Sequence, residues 1–125
     1  MIEKLSISPS EETPEVLFDA SAETFVLKGR SYPEDSHQFY KPLLEWFEKY
    51  SENPCDKTNL EIELDYFNSG SVKKVFTLMY LVEDLMEAGN EAQVTWKYKK
   101  GDELSLQKGL EFKKFLEVPV EVVEI

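Results

Sequence analysis

The chain has 125 residues, of which 42% are hydrophobic, 13% aromatic and 31% charged, with a formal net charge of −11. That is enough apolar material for one core and too much for a disordered chain, so a single domain over residues 1–125 is expected. The acidic balance argues against nucleic acid and an anionic membrane as principal partners, since both require a Lys/Arg surface; it leaves a basic or locally apolar protein partner, or plain solubility, as its use.

The single cysteine, Cys55, excludes an intramolecular disulfide and falls in a loop, Asn53-Pro54-Cys55-Asp56, without an imidazole next to it. Residues 1–9 lack the basic-then-apolar order of a secretory leader, and no apolar run approaches the roughly 20 residues needed to span a bilayer. The protein is expected to be cytoplasmic.

In chain order, Ser8 to Pro14 reads as a loop and Glu15–Asp19 as a short strand. A turn at Ala20-Ser21-Ala22 leads to a second strand, Thr24–Lys28, stopped by Gly29, so the two form an antiparallel hairpin. Ser36 is the expected N-cap of a helix from His37 to about Tyr50. Its apolar positions Phe39, Leu43 and Phe47 repeat every four residues, flanked by Tyr40 and Leu44, and Pro42 lies near its start. From Asn59 to Phe67 the chain alternates, with Leu60, Ile62, Leu64 and Tyr66 on one face and Glu61, Glu63 and Asp65 on the other.

Asn68-Ser69-Gly70-Ser71 breaks that strand. A helix follows from about Val72 to Ala88, with Val75, Met79, Val82 and Met86 as its stripe and Gly89-Asn90 as its stop. Gln93–Lys99 reads as a strand, Glu103–Leu116 as a third helix and Val118–Ile125 as a last strand. The order β-β-α-β-α-β-α-β implies an α/β fold, a single mixed sheet with helices packed on it and parallel pairs joined by right-handed crossovers.

There is no glycine-rich phosphate loop, cysteine pair or H-E-x-x-H sequence, so no cofactor and no metal site is expected. His37 is the only histidine, and its place at a helix start disfavours imidazolium and suits an exposed polar residue better than a general base. Glu61, Glu63 and Asp65 could hold a hard cation, but alternating carboxylates on a strand are ordinarily its solvated face.

The informative segment is Leu64 to Lys73, a strand end, a hinge with two hydroxyls and a helix start. Sites gather at the carboxyl ends of strands in such sheets, and the free N–H groups of a helix start receive anions. The residues leave two compatible readings: Ser69 or Ser71 caps the helix, or one of them accepts a phosphate that adds about −1.5 to −2 charges.

This hinge resembles that of the SiaC family of bacterial regulatory phosphoproteins, with Tyr66, Phe67, Asn68, Ser69, Ser71 and Lys73 in matching order. Gly29-Arg30-Ser31-Tyr32-Pro33-Glu34 followed by Phe39-Tyr40, Pro42 and Trp46 is similar to a second family segment. Val94-Thr95-Trp96-Lys97-Tyr98 followed by Asp102-Glu103 is similar to a third. The resemblance implies a fold like that of STAS-type anti-sigma factor antagonists and a partner-switching, non-enzymatic role. A serine/threonine kinase would phosphorylate the hinge and a metal-dependent phosphatase would reverse it. The unphosphorylated form would bind and activate a diguanylate cyclase, raising cyclic-di-GMP and promoting biofilm.

The position matching the family's acceptor threonine is Ser69, with Ser71 as the alternative. Gly70 stands where the family has serine and is expected to loosen the turn. Asn68, Ser69, Gly70, Ser71 and Lys73 form the expected partner-binding surface, to which Tyr32 and Tyr66 add area unless they pack in the core. The rival readings are a constitutive interaction module without phosphate control and a small enzyme using His37 and the carboxylates.

Overall fold

The computed structural model describes residues 2–125. Six strands and three helices follow in the order β1 (Leu5–Ile7), β2 (Glu15–Asp19), β3 (Thr24–Ser31), α1 (Ser36–Tyr50), β4 (Lys57–Phe67), α2 (Ser69–Glu87), β5 (Glu91–Tyr98), α3 (Glu103–Phe115) and β6 (Val120–Glu124). The expected mixed α/β sheet is present, with one strand more than the sequence suggested. β1 is only three residues long, too short to show an alternation, and it is held as an antiparallel edge on β2.

The strands lie side by side in chain order. β1, β2 and β3 pair antiparallel, and β3 through β6 pair parallel. Three successive crossovers of one hand, each to the next strand, put all three helices on the same face of the sheet.

Register makes that face continuous. Leu5, Phe18, Phe25, Leu60, Val94 and Val120 are mutual neighbours across the six strands, and Ile7, Val16, Leu27, Ile62, Trp96 and Val122 form a second row beside them. Tyr40, Leu43, Trp46, Phe47 and Tyr50 of α1 and Val75, Leu78, Met79, Val82 and Leu85 of α2 are buried with these rows. The aromatic rings interlock, with Phe18 edge-on to Phe47 at 4.9 Å and Trp46 stacked on Tyr50 at 5.1 Å. On the opposite face Leu17, Val26, Glu61, Thr95 and Glu121 are neighbours, and Lys97–Glu61 (3.6 Å) and Lys99–Asp65 (3.2 Å) pair across it.

Three of the boundaries that differ from expectation have a reason visible in the structure, and one buried side chain adds a fourth difference. Gly29 does not stop β3: at φ +124° it lets the strand continue to Ser31 past an irregularity in pairing with β4. The cap of α1 is Asp35, whose carboxylate accepts the Gln38 N–H at 3.0 Å, and Ser36 is already helical. α2 begins at Ser69, about three residues earlier than expected, because Asn68 is its cap. Glu83, unremarked in the sequence, is buried on α2 and accepts the Glu117 and Val118 N–H groups at 2.6 and 3.0 Å, which fixes the approach to β6.

Candidate functional site at the start of the second helix

The hinge lies where β3 and β4 end and α1 and α2 begin. Between Gly29 and Arg30 the register shifts: Gly29 faces Leu64, but Arg30 faces Tyr66. Asp65 is the extra residue of a β-bulge, and beyond it the alternation of β4 inverts. Tyr66 therefore does not share the face of Leu64; it turns outward and is 65% exposed. Phe67 turns inward, its ring 6.0 Å from Trp96.

Ser31, opposite Phe67, also points inward and is buried. Its hydroxyl lies 2.6 Å from the Tyr40 hydroxyl of α1 and donates to Ser71 Oγ of α2 at 2.8 Å. Asn68 adds backbone contacts: its N–H donates to the Ser31 carbonyl at 3.0 Å, its side-chain oxygen accepts the Ser71 N–H at 2.8 Å, and its amide donates to the Pro33 carbonyl at 3.3 Å. Burial pushes the Tyr40 phenol up to about 12, against a smaller opposing effect of its hydroxyl neighbours.

The two candidate serines are thus unequal. Ser71 is fully buried and bonded to Ser31, whereas Ser69 is exposed in the first turn of α2. Residues two apart on a helix do not face the same way, so one serine enters the core and the other leaves it. Lys73, four residues beyond Ser69, is also exposed and shares its side.

Gly70 does not loosen the hinge. A Cβ there would lie 2.6 Å from Ser36 Oγ, so glycine is what lets the starts of α1 and α2 touch. Next to this contact Lys74 Nζ is 3.1 Å from His37 Nδ1. An ammonium has no acceptor, so in this contact the ring nitrogen is the accepting atom.

Outside the hinge, the enzyme-type candidates do not converge. His37 belongs to α1 on the helical face, while Glu61, Glu63 and Asp65 alternate with the buried residues of β4 toward the other face. No group of three metal-ligating side chains comes together among the described residues. Cys55 is half-buried, its thiol donating to the Ala20 carbonyl at 3.4 Å. No described helix is long and apolar enough to cross a membrane.

A cleft of about 510 Å³ adjoins the hinge, lined by Arg30, Tyr32, Tyr66, Phe67 and Asn68. Arg30, Ser31 and Tyr40 escaped a reading based on the hinge alone. Their signal was the second segment similar to the family, Gly29 to Glu34 followed by Phe39-Tyr40, which the fold brings against the hinge.

Comparison with known proteins agrees with this architecture. An uncharacterised protein of Pseudomonas aeruginosa strain UCBPP-PA14 is 25% identical over 115 residues, 92% of this chain and 91% of that protein. A chain in the crystal structure of the diguanylate cyclase SiaD in complex with its activator SiaC, from Pseudomonas aeruginosa, superposes with a TM-score of 0.90. It is 24% identical and covers 97% of this chain and 99% of its own length. A separate structure of SiaC of Pseudomonas aeruginosa gives a TM-score of 0.90 at 22% identity, covering 99% and 100% of the two chains. These structures share the fold. The model of the family described as SiaC family regulatory phosphoprotein matches residues 7–125, and the chain belongs to that family.

Proposed function

We propose that the chain acts as a single cytoplasmic domain and is a phosphorylation-controlled binding switch with Ser69 as its acceptor. A serine/threonine kinase transfers the γ-phosphoryl of ATP to Ser69 Oγ, releasing ADP, and a metal-dependent phosphatase hydrolyses the ester with water. The unphosphorylated form binds and activates a diguanylate cyclase, as the SiaC in the solved complex is the activator of SiaD.

The observation that carries this reading is the contrast between the two hydroxyls. Ser69 is presented to solvent at a rigid corner, and Ser71 is sealed into the Ser31–Tyr40 cluster. A kinase reaches Ser69 without disturbing the core; at Ser71 the first turn of α2 would have to open. Phosphate on Ser69 adds about −1.5 to −2 charges beside Asn68, Gly70 and Lys73, the surface the partner is to contact. Like charge at a contact costs enough to reverse binding, and a switch needs that differential affinity.

The test is the affinity of the unmodified protein, Ser69→Ala and Ser69→Asp for a diguanylate cyclase of the same cell, together with cyclic-di-GMP production. Ser69→Ala should bind and activate as wild type. Ser69→Asp should weaken binding on the order of 10- to 100-fold. Equal affinity of all three forms would make the chain a constitutive binder.

A further inference from the structure

The cleft beside the hinge has a composition that the switch alone does not require. Arg30 is the only arginine in a chain whose other thirteen basic residues are lysines. Its guanidinium carbon lies 5.8 Å from the centre of the Tyr66 ring, over the ring face. Tyr66 is available there because the bulge at Asp65 turns it outward. Tyr32, also exposed, and Asn68 complete the walls.

Among the described residues, the ion pairs use Lys57, Lys97, Lys99 and Lys108, and none uses Arg30. An arginine that stays without a carboxylate in a chain of 25 acidic residues is held away from internal partners. Its planar fork matches a carboxylate bidentately, and tyrosine and arginine are the residue types that anchor protein interfaces.

We infer that this cleft is the docking pocket for an acidic side chain of the protein partner, the carboxylate on Arg30 and the stem against the tyrosine rings. The inference rests on the reading of the chain as a binding module and adds the chemistry of what it binds. It also gives the phosphate a specific means of action. Asn68 is at once a wall of the cleft and the residue before Ser69, so a phosphate arrives next to the charge that the partner's carboxylate needs.

The probe is a library of random twelve-residue peptides displayed on phage and selected on the full unphosphorylated chain. The enriched peptides are then measured against Arg30→Gln, Arg30→Lys, Tyr66→Ala and, as control, Lys28→Gln, an exposed cation on the same strand outside the cleft. The expected result is peptides sharing an Asp or Glu next to an apolar or aromatic residue. They should bind Arg30→Gln and Tyr66→Ala at least about tenfold more weakly, Arg30→Lys with partial loss, and Lys28→Gln unchanged. Thermal unfolding of each variant confirms that it is folded.

Peptides with no common acidic residue, peptides that bind Arg30→Gln as tightly as wild type, or no enrichment over the Arg30→Gln surface would each overturn the inference. The selection uses no cyclase. The cleft can therefore fail while the Ser69 switch stands, and the switch can fail while the cleft binds acidic peptides.

Discussion

Ser31 Oγ donates to Ser71 Oγ at 2.8 Å, across forty residues of sequence, and joins the end of β3 to the first turn of α2. With Tyr40 as third member, this hydroxyl cluster fixes the hinge from beneath. The exposed Ser69 is therefore presented on a rigid corner rather than on a loop.

Removing Ser71 leaves the buried Ser31 hydroxyl without its acceptor on α2, and removing Ser31 takes a buried partner from both Ser71 and Tyr40. Ser71→Ala and Ser31→Ala should each cost about 1–3 kcal/mol in urea-induced unfolding. The double variant should cost less than the sum of the singles, because the two share one bond. Fully additive losses would mean that the hydroxyls do not form a unit.

Asn68 both caps α2 and ties it to Ser31 and Pro33. Asn68→Ala should destabilise by about 0.5–2 kcal/mol, the range for lost caps. Asn68→Asp keeps the acceptor for the Ser71 N–H and loses only the donor to Pro33, so it should retain more stability than the alanine variant. An alanine variant as stable as wild type would remove Asn68 from this role.

Gly109 lies within α3, where alanine is ordinarily favoured by about 1 kcal/mol. Here a Cβ would fall 2.5 Å from Trp96 Cδ1, whose ring is pinned by its Nε1–H donating to the Ser105 carbonyl at 2.9 Å. Overpacking wins: Gly109→Ala should lose about 1–3 kcal/mol and shift the tryptophan emission. A more stable variant would show that the indole moves freely.

Burial is the main cause that pushes the Tyr40 and Tyr50 phenols up from 10.0 to about 12. The folded chain then binds more protons than the unfolded chain between those values. The stabilisation is complete below about pH 10 and is lost as pH rises through about 12. Urea midpoints should fall over that window, and the combined Tyr40→Phe, Tyr50→Phe variant should show a shallower fall. An identical slope in that variant would refute the assignment.

The parts legible in the sequence were those set by local period. The stripe of Phe39, Leu43 and Phe47 located α1, and the alternation from Leu60 to Leu64 located β4 and its inward face. What failed depended on contacts distant in the chain. Three good capping residues, Asn68, Ser69 and Ser71, fall within four positions, and the choice among them is made by Ser31 and Pro33. Tyr66 continues the alternation on paper but is turned outward by a bulge that pairing with β3 imposes. Glu83 reads as a surface charge until the Glu117 and Val118 amides arrive beside it. The hinge itself was visible as a strand end followed by two hydroxyls and a helix start, and the family resemblance pointed to the same place, whereas the difference between an exposed Ser69 and a buried Ser71 is purely tertiary.

The most direct measurement is intact-mass and peptide mass spectrometry on the protein isolated from its native cell, with and without phosphatase inhibition. The account predicts a singly phosphorylated fraction that grows under inhibition, with fragment ions placing the phosphate on Ser69 and not on Ser71. Protein that stays unmodified across growth conditions and under inhibition, or a phosphate found on Ser71, would contradict it.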